Sequence, residues 1–219
     1  MRIDIITIFP KIFDSYFNES IIKRAKQKGL IQINIINLRD FTNDLHKTVD
    51  DKPFGDSTGM VMKIEPIYKA LIKLKTKDST VIVTTAKGEI YKQSKAKKFA
   101  KLKHLIIICG RYEGIDQRVL DYLADENISI GQYILTGGEI PAMIIVDSIT
   151  RLLPGAIGNK NSLITNSFYK NDKIIQYPIY TRPRVFSVNN KNFEVPDILV
   201  SGDHAKIKKW QKDHTKIIE

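Results

Sequence analysis

Two glycine-containing segments carry the residue types that could bind a ligand. CGRYEGIDQRV (109–119) follows an apolar run, and IGQYILTGGEIPA (130–142) leads into another apolar run. Glycine lets backbone amides approach a ligand closely, most usefully where a strand ends or a helix begins. Neither segment has the spacing of GxGxxG or of a P-loop, so neither predicts a cradle for nucleotide phosphates. Taken alone, each is more typical of a tight turn than of a site.

Other chemistries receive little support from the sequence. The four histidines have neither HExxH nor any other paired spacing, and one cysteine cannot build a zinc site. A metal bound through carboxylates stays open. Cys109 closes an apolar run, which predicts a buried small hydrophobe rather than a nucleophile. The adjacent acids Asp50 and Asp51 lie in a polar segment, where such pairs usually serve turns or caps.

The charge of the chain favours a polyanionic partner. Thirty-five Lys and Arg residues against 24 Asp and Glu residues give a formal net charge of +11 over 219 residues. Nucleic acid is the simplest such partner, although a lysine-rich proteome would produce the same balance. Lysines concentrate at 91–104 and at 204–216 with helical spacing. Each cluster predicts either a nucleic-acid contact or an ordinary solvated helix face.

The compartment is predicted to be the cytoplasm. No apolar run approaches the roughly 18 residues that span a bilayer, so we expect a soluble chain without a membrane partner. The start, MRIDIITIFP, alternates like a strand and lacks the pattern of a secretory signal. A lone cysteine excludes an internal disulfide and suits a reducing compartment.

Strands and helices alternate in the first part of the chain. Apolar, β-branched runs predict strands at 3–9, 31–38, 81–85 and 104–109. Helical patterns lie at 20–29, 65–74, 92–102 and 140–153. The last helix is too short to cross a membrane, and its apolar character predicts a core or interface position. This order predicts an α/β domain with a mostly parallel sheet, helices on both faces, and ligands outside the carboxyl ends of the strands.

Beyond the helix at 140–153 the composition changes. A polar, asparagine-rich stretch is followed by a Tyr/Pro-rich segment, and then by EVPDILVSGDHAKIKKWQKDHTK. Ser201 or Asp203 is expected to cap a terminal helix that turns Ile207 and Trp210 inward. We therefore expect a small second domain that is helical.

Several motifs in fixed order carry a resemblance that covers Arg2 to Trp210. They are IFPKIFD, ESIIKRAKQKGLI, HKTVDD, GMVMK, CGRYEGIDQRV, IGQYILTGGEIPA, RLLPGAIGN, YPIYTRP and VPDILVSGDHAKI. Together they resemble the bacterial tRNA (guanine-N1)-methyltransferases of the SPOUT class. The resemblance implies an α/β SPOUT fold with a parallel sheet and a deep C-terminal trefoil knot, an exception to the rule against knots. The knotted domain would span 1–158, the linker 159–175, and a small helical tRNA-binding domain 176–219.

The resemblance also implies the partners and the cofactor. The family acts as a homodimer in which the knot of one subunit and the linker and C-terminal domain of the other build each active site. S-adenosylmethionine would bind bent in the knot, and magnesium is a possible further requirement. The residues at matching positions are Thr84, Thr85, Ala86, Gly110, Tyr112, Glu113, Ile130, Gly131, Gln132, Tyr133, Ile134, Leu135, Gly137, Gly138 and Pro141.

The implied acceptor is N1 of the guanine directly 3′ of the tRNA anticodon. This atom is on the Watson–Crick edge, so the base must be splayed out of its stack. Guanine N1 becomes nucleophilic only as its proton leaves, which calls for a base at N1 and a cation near O6. Arg151 matches the arginine that the family uses for the second role.

The catalytic base is where this chain departs from the family pattern. The position of the family acid is Asn166, and a second acidic position is Gln176. An amide cannot accept a proton at neutral pH. Asp172 is a candidate substitute base, and Glu113 could help. The alternative hypothesis is a homologue that binds tRNA and S-adenosylmethionine with weakened or lost catalysis; a related SPOUT enzyme with another RNA target is a third.

Overall fold

The computed structural model describes residues 1–55, 58–158, 166–169 and 171–218. The chain divides into two compact units, Met1–Gly158 and Asn159–Glu219. Residues 159–165 and 170 of the predicted linker 159–175 lie outside the described residues. Within the described ranges, no helix combines the length and the apolar character needed to cross a membrane.

A five-stranded parallel sheet forms the centre of the first unit. Its strands are β1 (Arg2–Thr7), β2 (Gln32–Asn37), β5 (Ser79–Ile90), β6 (His104–Cys109) and β7 (Glu126–Ser129). Outside this sheet, β3 (Asp50–Asp51) pairs with β4 (Val61–Met62). The spatial order is β2-β1-β6-β5-β7, and every neighbouring pair is parallel. The prediction of a mostly parallel α/β sheet is confirmed.

Helices cover both faces of this sheet. They are α1 (Asp14–Phe17), α2 (Ser20–Gln27), α3 (Ile64–Leu74), α4 (Gln93–Phe99), α5 (Gln117–Tyr122) and α6 (Glu139–Thr150). Side chains of α2, α4 and α6 share one apolar cluster with Leu105 and Ile107. Those of α3 and α5 share the other cluster with Ile106 and Ile108. Because β6 is buried on both faces, all six of its residues are buried, which explains the apolar run at 105–109.

The second unit combines short helices with short antiparallel pairs. Its described elements are β8 (Ile174–Ile175), β9 (Val185–Val188), β10 (Lys191–Glu194), α7 (Asp197–Val200), α8 (His204–Asp213) and β11 (Lys216–Ile217). Asp203 caps α8 by accepting a hydrogen bond from the Lys206 amide at 3.1 Å, as predicted. The expectation of a helical domain is incomplete, because β9 and β10 form a hairpin. Asn189 and Asn190 make its turn, with φ of +51° and +59°.

A buried polar cluster joins the amino-terminal parts of four strands. Asp4 accepts hydrogen bonds from Arg2 Nη2 at 2.6 Å and from Asn34 Nδ2 at 2.6 Å, and its Oδ2 lies 2.9 Å from His104 Nε2. His104 Nδ1 lies 2.7 Å from Ser79 Oγ. Burial alone would raise the pKa of Asp4, but the bonds from Arg2, Asn34 and His104 outweigh it and hold that pKa below its usual value. This cluster links four neighbouring strands of the sheet by side-chain hydrogen bonds.

Asp4→Asn is expected to lower the free energy of unfolding by about 1.5–3 kcal/mol at pH 7, because it removes charge-assisted hydrogen bonds from a buried group. Since the folded-state pKa of Asp4 lies below the unfolded value of about 3.9, the carboxylate stabilises above that pH, and the contribution is lost as pH falls through the folded pKa. Urea unfolding across this range should show the variant and the wild type converging in acid. The exposed Asp78→Asn is the matched control, with a change below about 1 kcal/mol expected.

Candidate functional site

The carboxyl ends of β5, β6 and β7 surround a cavity of ≈ 360 Å³, a volume within the range of small-molecule sites. Every residue expected to bind S-adenosylmethionine lines it except Gln132. Lining residues outside the predicted set are Val83, Lys87, Arg111, Gly114, Ile115, Leu120, Ile128, Ser129 and Thr136. The cavity lies where ligands bind open parallel sheets, at the edge expected from the sequence.

An interruption of β5 forms one wall of the cavity. Ile82 to Thr84 pair with Glu126 to Ile128, but the ladder resumes only at Glu89, which pairs again with Ile128. The intervening segment, 85–88, leaves the ladder and brings residues 85–87 to the cavity. Gly88 returns the chain to β7 so closely that a Cβ there would lie 2.5 Å from the carbonyl carbon of Asn127. Only glycine permits this approach.

The second wall is the segment 130–138, which ends against two strand termini. The Gly138 amide donates to the Gly110 carbonyl at 2.8 Å, and Thr84 Oγ1 donates to the Gly138 carbonyl at 3.3 Å. A Cβ on Gly138 would lie 2.8 Å from both Cys109 Cα and the Gly110 nitrogen. The chain therefore crosses the ends of β5 and β6 directly before α6 begins.

Gly138→Ala is expected to weaken ligand binding in the cavity strongly and to lower the free energy of unfolding by about 1–3 kcal/mol, because the new methyl group meets backbone atoms that cannot rotate away. Thermal unfolding and calorimetric titration with S-adenosylmethionine measure the two effects. Gly158→Ala is the matched control, since a Cβ at Gly158 has no neighbour within 4 Å among the described residues. Equal behaviour of the two variants would contradict the assignment of Gly138 to a close crossing.

The third wall is the loop that follows β6. The Glu113 amide donates to the Met60 carbonyl at 3.0 Å, so β4 and the residues before it support this loop. Gly59, with φ of +89°, leaves room for the Glu113 side chain, because a Cβ there would lie 2.6 Å from Glu113 Cγ. Tyr112 has a left-handed φ of +59° and is 48% exposed. A non-glycine residue in this conformation indicates local strain, which is common at binding sites.

The charged residues that line the cavity are Lys87, Arg111 and Glu113. Arg111 Nε donates to Glu139 Oε2 at 2.9 Å, so this guanidinium is paired. Cys109, the last residue of β6, is fully buried, and burial is the first cause that raises the pKa of its thiol well above the usual value. The prediction of a buried hydrophobe rather than a nucleophile is consistent with this.

The described residues contain no group of three or more His, Cys, Asp or Glu side chains able to hold a metal ion.

The three predicted catalytic positions are divided between the two units. Arg151 follows α6 in the first unit, where its amide donates to the Asp147 carbonyl at 3.1 Å. Asn166 and Asp172 belong to a folded-back segment of the second unit, in which the Phe168 amide donates to the Ile174 carbonyl at 2.7 Å. Asp172 lies in the turn of this segment and is partly buried.

Gln176, the second substituted position, is bonded to the same segment through its backbone. The Gln176 backbone amide donates to Ser167 Oγ at 2.9 Å, beside Asn166. Gln176 is thus bonded to the residue that follows Asn166, and Asp172 lies in the turn between these two positions. Sequence reasoning overlooked the contribution of Lys87, Arg111 and Ile115 to the cavity. Arg111 and Ile115 stand in the same CGRYEGID motif as the predicted residues.

A parallel sheet with a ligand-sized cavity, walled by glycine loops at its carboxyl edge, defines an α/β ligand-binding domain. Residues 1–217 match the family described as tRNA (Guanine-1)-methyltransferase TrmD, and the chain belongs to that family.

Curated relatives agree with this family. A protein of Dictyoglomus turgidum, named tRNA (guanine-N(1)-)-methyltransferase, is 52% identical over 212 residues, covering 97% of this chain and 84% of its own. A protein of the same name from Carboxydothermus hydrogenoformans is 50% identical, with coverage of 97% and 81%. One from Clostridioides difficile is 47% identical, with coverage of 98% and 92%. The resemblance drawn from the motifs is confirmed.

Proposed function

We propose that this protein is an S-adenosylmethionine-dependent methyltransferase that acts on N1 of the guanine directly 3′ of the anticodon in tRNA. The observation that carries the proposal is the cavity, because it gathers all the expected cofactor residues but Gln132 from three separate segments. Membership of the tRNA (guanine-1)-methyltransferase family supports the reaction and the acceptor.

The residues around the cavity fit S-adenosylmethionine. Ile130, Ile134 and Leu135 offer apolar surface for the faces of an adenine, while the backbone of the glycine loops can bond to its edge. Lys87 and Glu113 complement the carboxylate and the positive groups of the methionine part. When bound, the donor supplies a methyl group already activated by its sulfonium.

The remaining chemistry falls to Arg151 and a carboxylate. As guanine N1 loses its proton, negative charge collects on O6, and the Arg151 guanidinium stabilises that charge. Asp172 accepts the N1 proton, because Asn166 and Gln176 carry amides that cannot. Glu113 is the other carboxylate to consider, since it lines the cavity. The weakened homologue remains the outcome expected if no carboxylate takes this role.

A trefoil knot and a homodimer are part of the proposal. The close crossing of Gly138 over the ends of β5 and β6 supports a chain that threads tightly at this edge. Exposed apolar side chains support an interface on the first unit. They are Phe9, Ile12, Tyr16, Ile140 and Ile144, from the segment after β1 and from α6. The resemblance further implies that each active site of such a dimer draws residues from both subunits.

Basic residues of the second unit are proposed to hold the tRNA. The exposed lysines of α8 and the segment after it provide sequence-independent attraction to phosphates, which weakens as salt rises. Magnesium as a further requirement remains a prediction from the resemblance. A tRNA substrate agrees with the expected cytoplasmic location.

The proposal is tested by incubating purified protein with labelled S-adenosylmethionine and an unmodified tRNA transcript. We expect about one methyl group per tRNA when guanine follows the anticodon, and none when adenine replaces it. Binding of donor and tRNA without transfer would instead support the weakened homologue. Equal methyl transfer to the transcript with adenine after the anticodon would favour a related enzyme with another RNA target.

A further inference from the structure

Glu139 is a buried carboxylate at the first position of α6, and the proposed reaction gives it no part. The residue is 1% exposed. Its Oε1 accepts a hydrogen bond from Thr7 Oγ1 at 2.8 Å, and its Oε2 accepts one from Arg111 Nε at 2.9 Å. A buried polar side chain needs partners of this kind to offset the loss of its hydration. The Glu139–Arg111 pair connects residues that stand 28 positions apart in sequence.

Arg111 extends this connection to both glycine loops of the cavity. Its backbone belongs to the loop after β6, while its Nη1 donates to the Thr136 carbonyl at 3.1 Å in the other loop. A Cβ on Gly137 would lie 2.5 Å from Arg111 Cδ, so the arginine fills the space that this glycine leaves. The guanidinium also lies 4.6 Å from the centre of the Phe9 ring. One side chain thus fixes the distance between two walls.

The Arg111 contacts also bear on the conformation of the next residue, Tyr112. Tyr112 follows Arg111, lines the cavity and has the left-handed φ of +59°. Such a conformation persists only where surrounding contacts determine it. The Arg111 side chain supplies such contacts on one side, and the Glu113 amide bonded to Met60 supplies one on the other.

We infer that Glu139 is a positioning residue for the methyl donor, acting through Arg111 to hold the loops after β6 and before α6 at the separation that the donor requires. The inference rests on the proposed function. It assigns Glu139 no contact with the methyl group or the acceptor. Its removal should therefore weaken donor binding and spare the chemical step.

Three variants separate positioning from general stability. Glu139→Gln keeps the shape and removes the charge from the Arg111 bond. Arg111→Lys keeps a positive charge but lacks the planar fork that reaches both Glu139 and Thr136. Thr7→Val is the matched control, because it removes the bonds of the Thr7 hydroxyl to Glu139 Oε1 and to the Phe9 amide and leaves the Arg111 pair. All are compared with wild type at a temperature where circular dichroism shows them folded.

For Glu139→Gln we expect the Kd for S-adenosylmethionine in calorimetry to rise about tenfold or more. The KM for the donor should rise in parallel, while kcat at saturating donor stays within about threefold of wild type. The Kd of Arg111→Lys should lie between those of wild type and Glu139→Gln. This variant serves as the test if Glu139→Gln does not fold. Thr7→Val should lose stability but keep the wild-type Kd.

Unchanged Kd in both Glu139→Gln and Arg111→Lys would overturn the inference and leave the proposed function standing. An equal rise in Thr7→Val would also overturn it, because binding would then follow stability alone. If wild type itself binds no S-adenosylmethionine, the proposed function fails and the inference fails with it.

Discussion

Asp172→Asn is expected to lower the rate of methyl transfer by about 10²- to 10⁴-fold, the range that general bases contribute. The amide keeps the size of the side chain but cannot accept the N1 proton. Because the second unit and the donor cavity remain intact, affinities for tRNA and S-adenosylmethionine should change little. Single-turnover transfer to a tRNA transcript, beside calorimetric titration of both ligands, separates these quantities. Asp213→Asn, exposed at the end of α8, is the matched control.

The companion variant Asn166→Asp restores a carboxylate at the family position. In the Asp172→Asn background it should recover a large part of the lost rate, because the new carboxylate stands at the position that the resemblance assigns to the family acid and can accept a proton. A normal rate in Asp172→Asn would contradict the assignment of the base and direct attention to Glu113. A greatly raised rate in Asn166→Asp alone would show that the native chain lacks a good base.

Arg151→Ala is expected to lower the rate by about 10²- to 10³-fold, which is the effect of removing one donor from a site where negative charge develops. The Kd for the methyl donor should stay within a few-fold, since Arg151 does not line the cavity. Arg151→Lys should retain part of the rate because it keeps the charge. The same kinetic and calorimetric measurements apply. Arg24→Ala, exposed on α2, removes an equal charge and should leave the rate unchanged.

Mixing the two inactive variants tests the shared site. If each site combines Arg151 of one subunit with Asp172 of the other, heterodimers of Arg151→Ala and Asp172→Asn contain one intact site. Random exchange of subunits should then restore about a quarter of the wild-type rate. No recovery after demonstrated exchange would place both residues of a site in the same subunit.

The strands that are buried on both faces could be predicted from sequence. His104–Cys109 has the predicted bounds, because every one of its six residues is buried and residues 105–109 form an unbroken apolar run. Glu126–Ser129 was missed, because it is short and only Ile128 and Ser129 are buried. The hairpin of Val185–Val188 and Lys191–Glu194 was missed as well, although its Asn-Asn turn is a recognisable signal.

The candidate site was predictable as far as local motifs reach. The first glycine segment follows a predicted strand at Gly110 and the second precedes a predicted helix at Gly138, and the structure brings these two residues into contact. The partners of Glu139 were not predictable, since Thr7 is 132 positions away and no periodic pattern encodes such a pair. The return of the chain at Gly88 likewise depends on a register shift that only the folded sheet reveals.

The most direct test of the central claim is the identity of the nucleoside that the wild-type protein methylates. After incubation with S-adenosylmethionine and an unmodified tRNA transcript, the RNA is digested and its nucleosides are separated by mass spectrometry. We predict 1-methylguanosine, located by fragment mapping directly 3′ of the anticodon, and its absence when that guanine is replaced. A methyl group on ribose or on another base, or no methyl group despite binding of both ligands, would contradict the account.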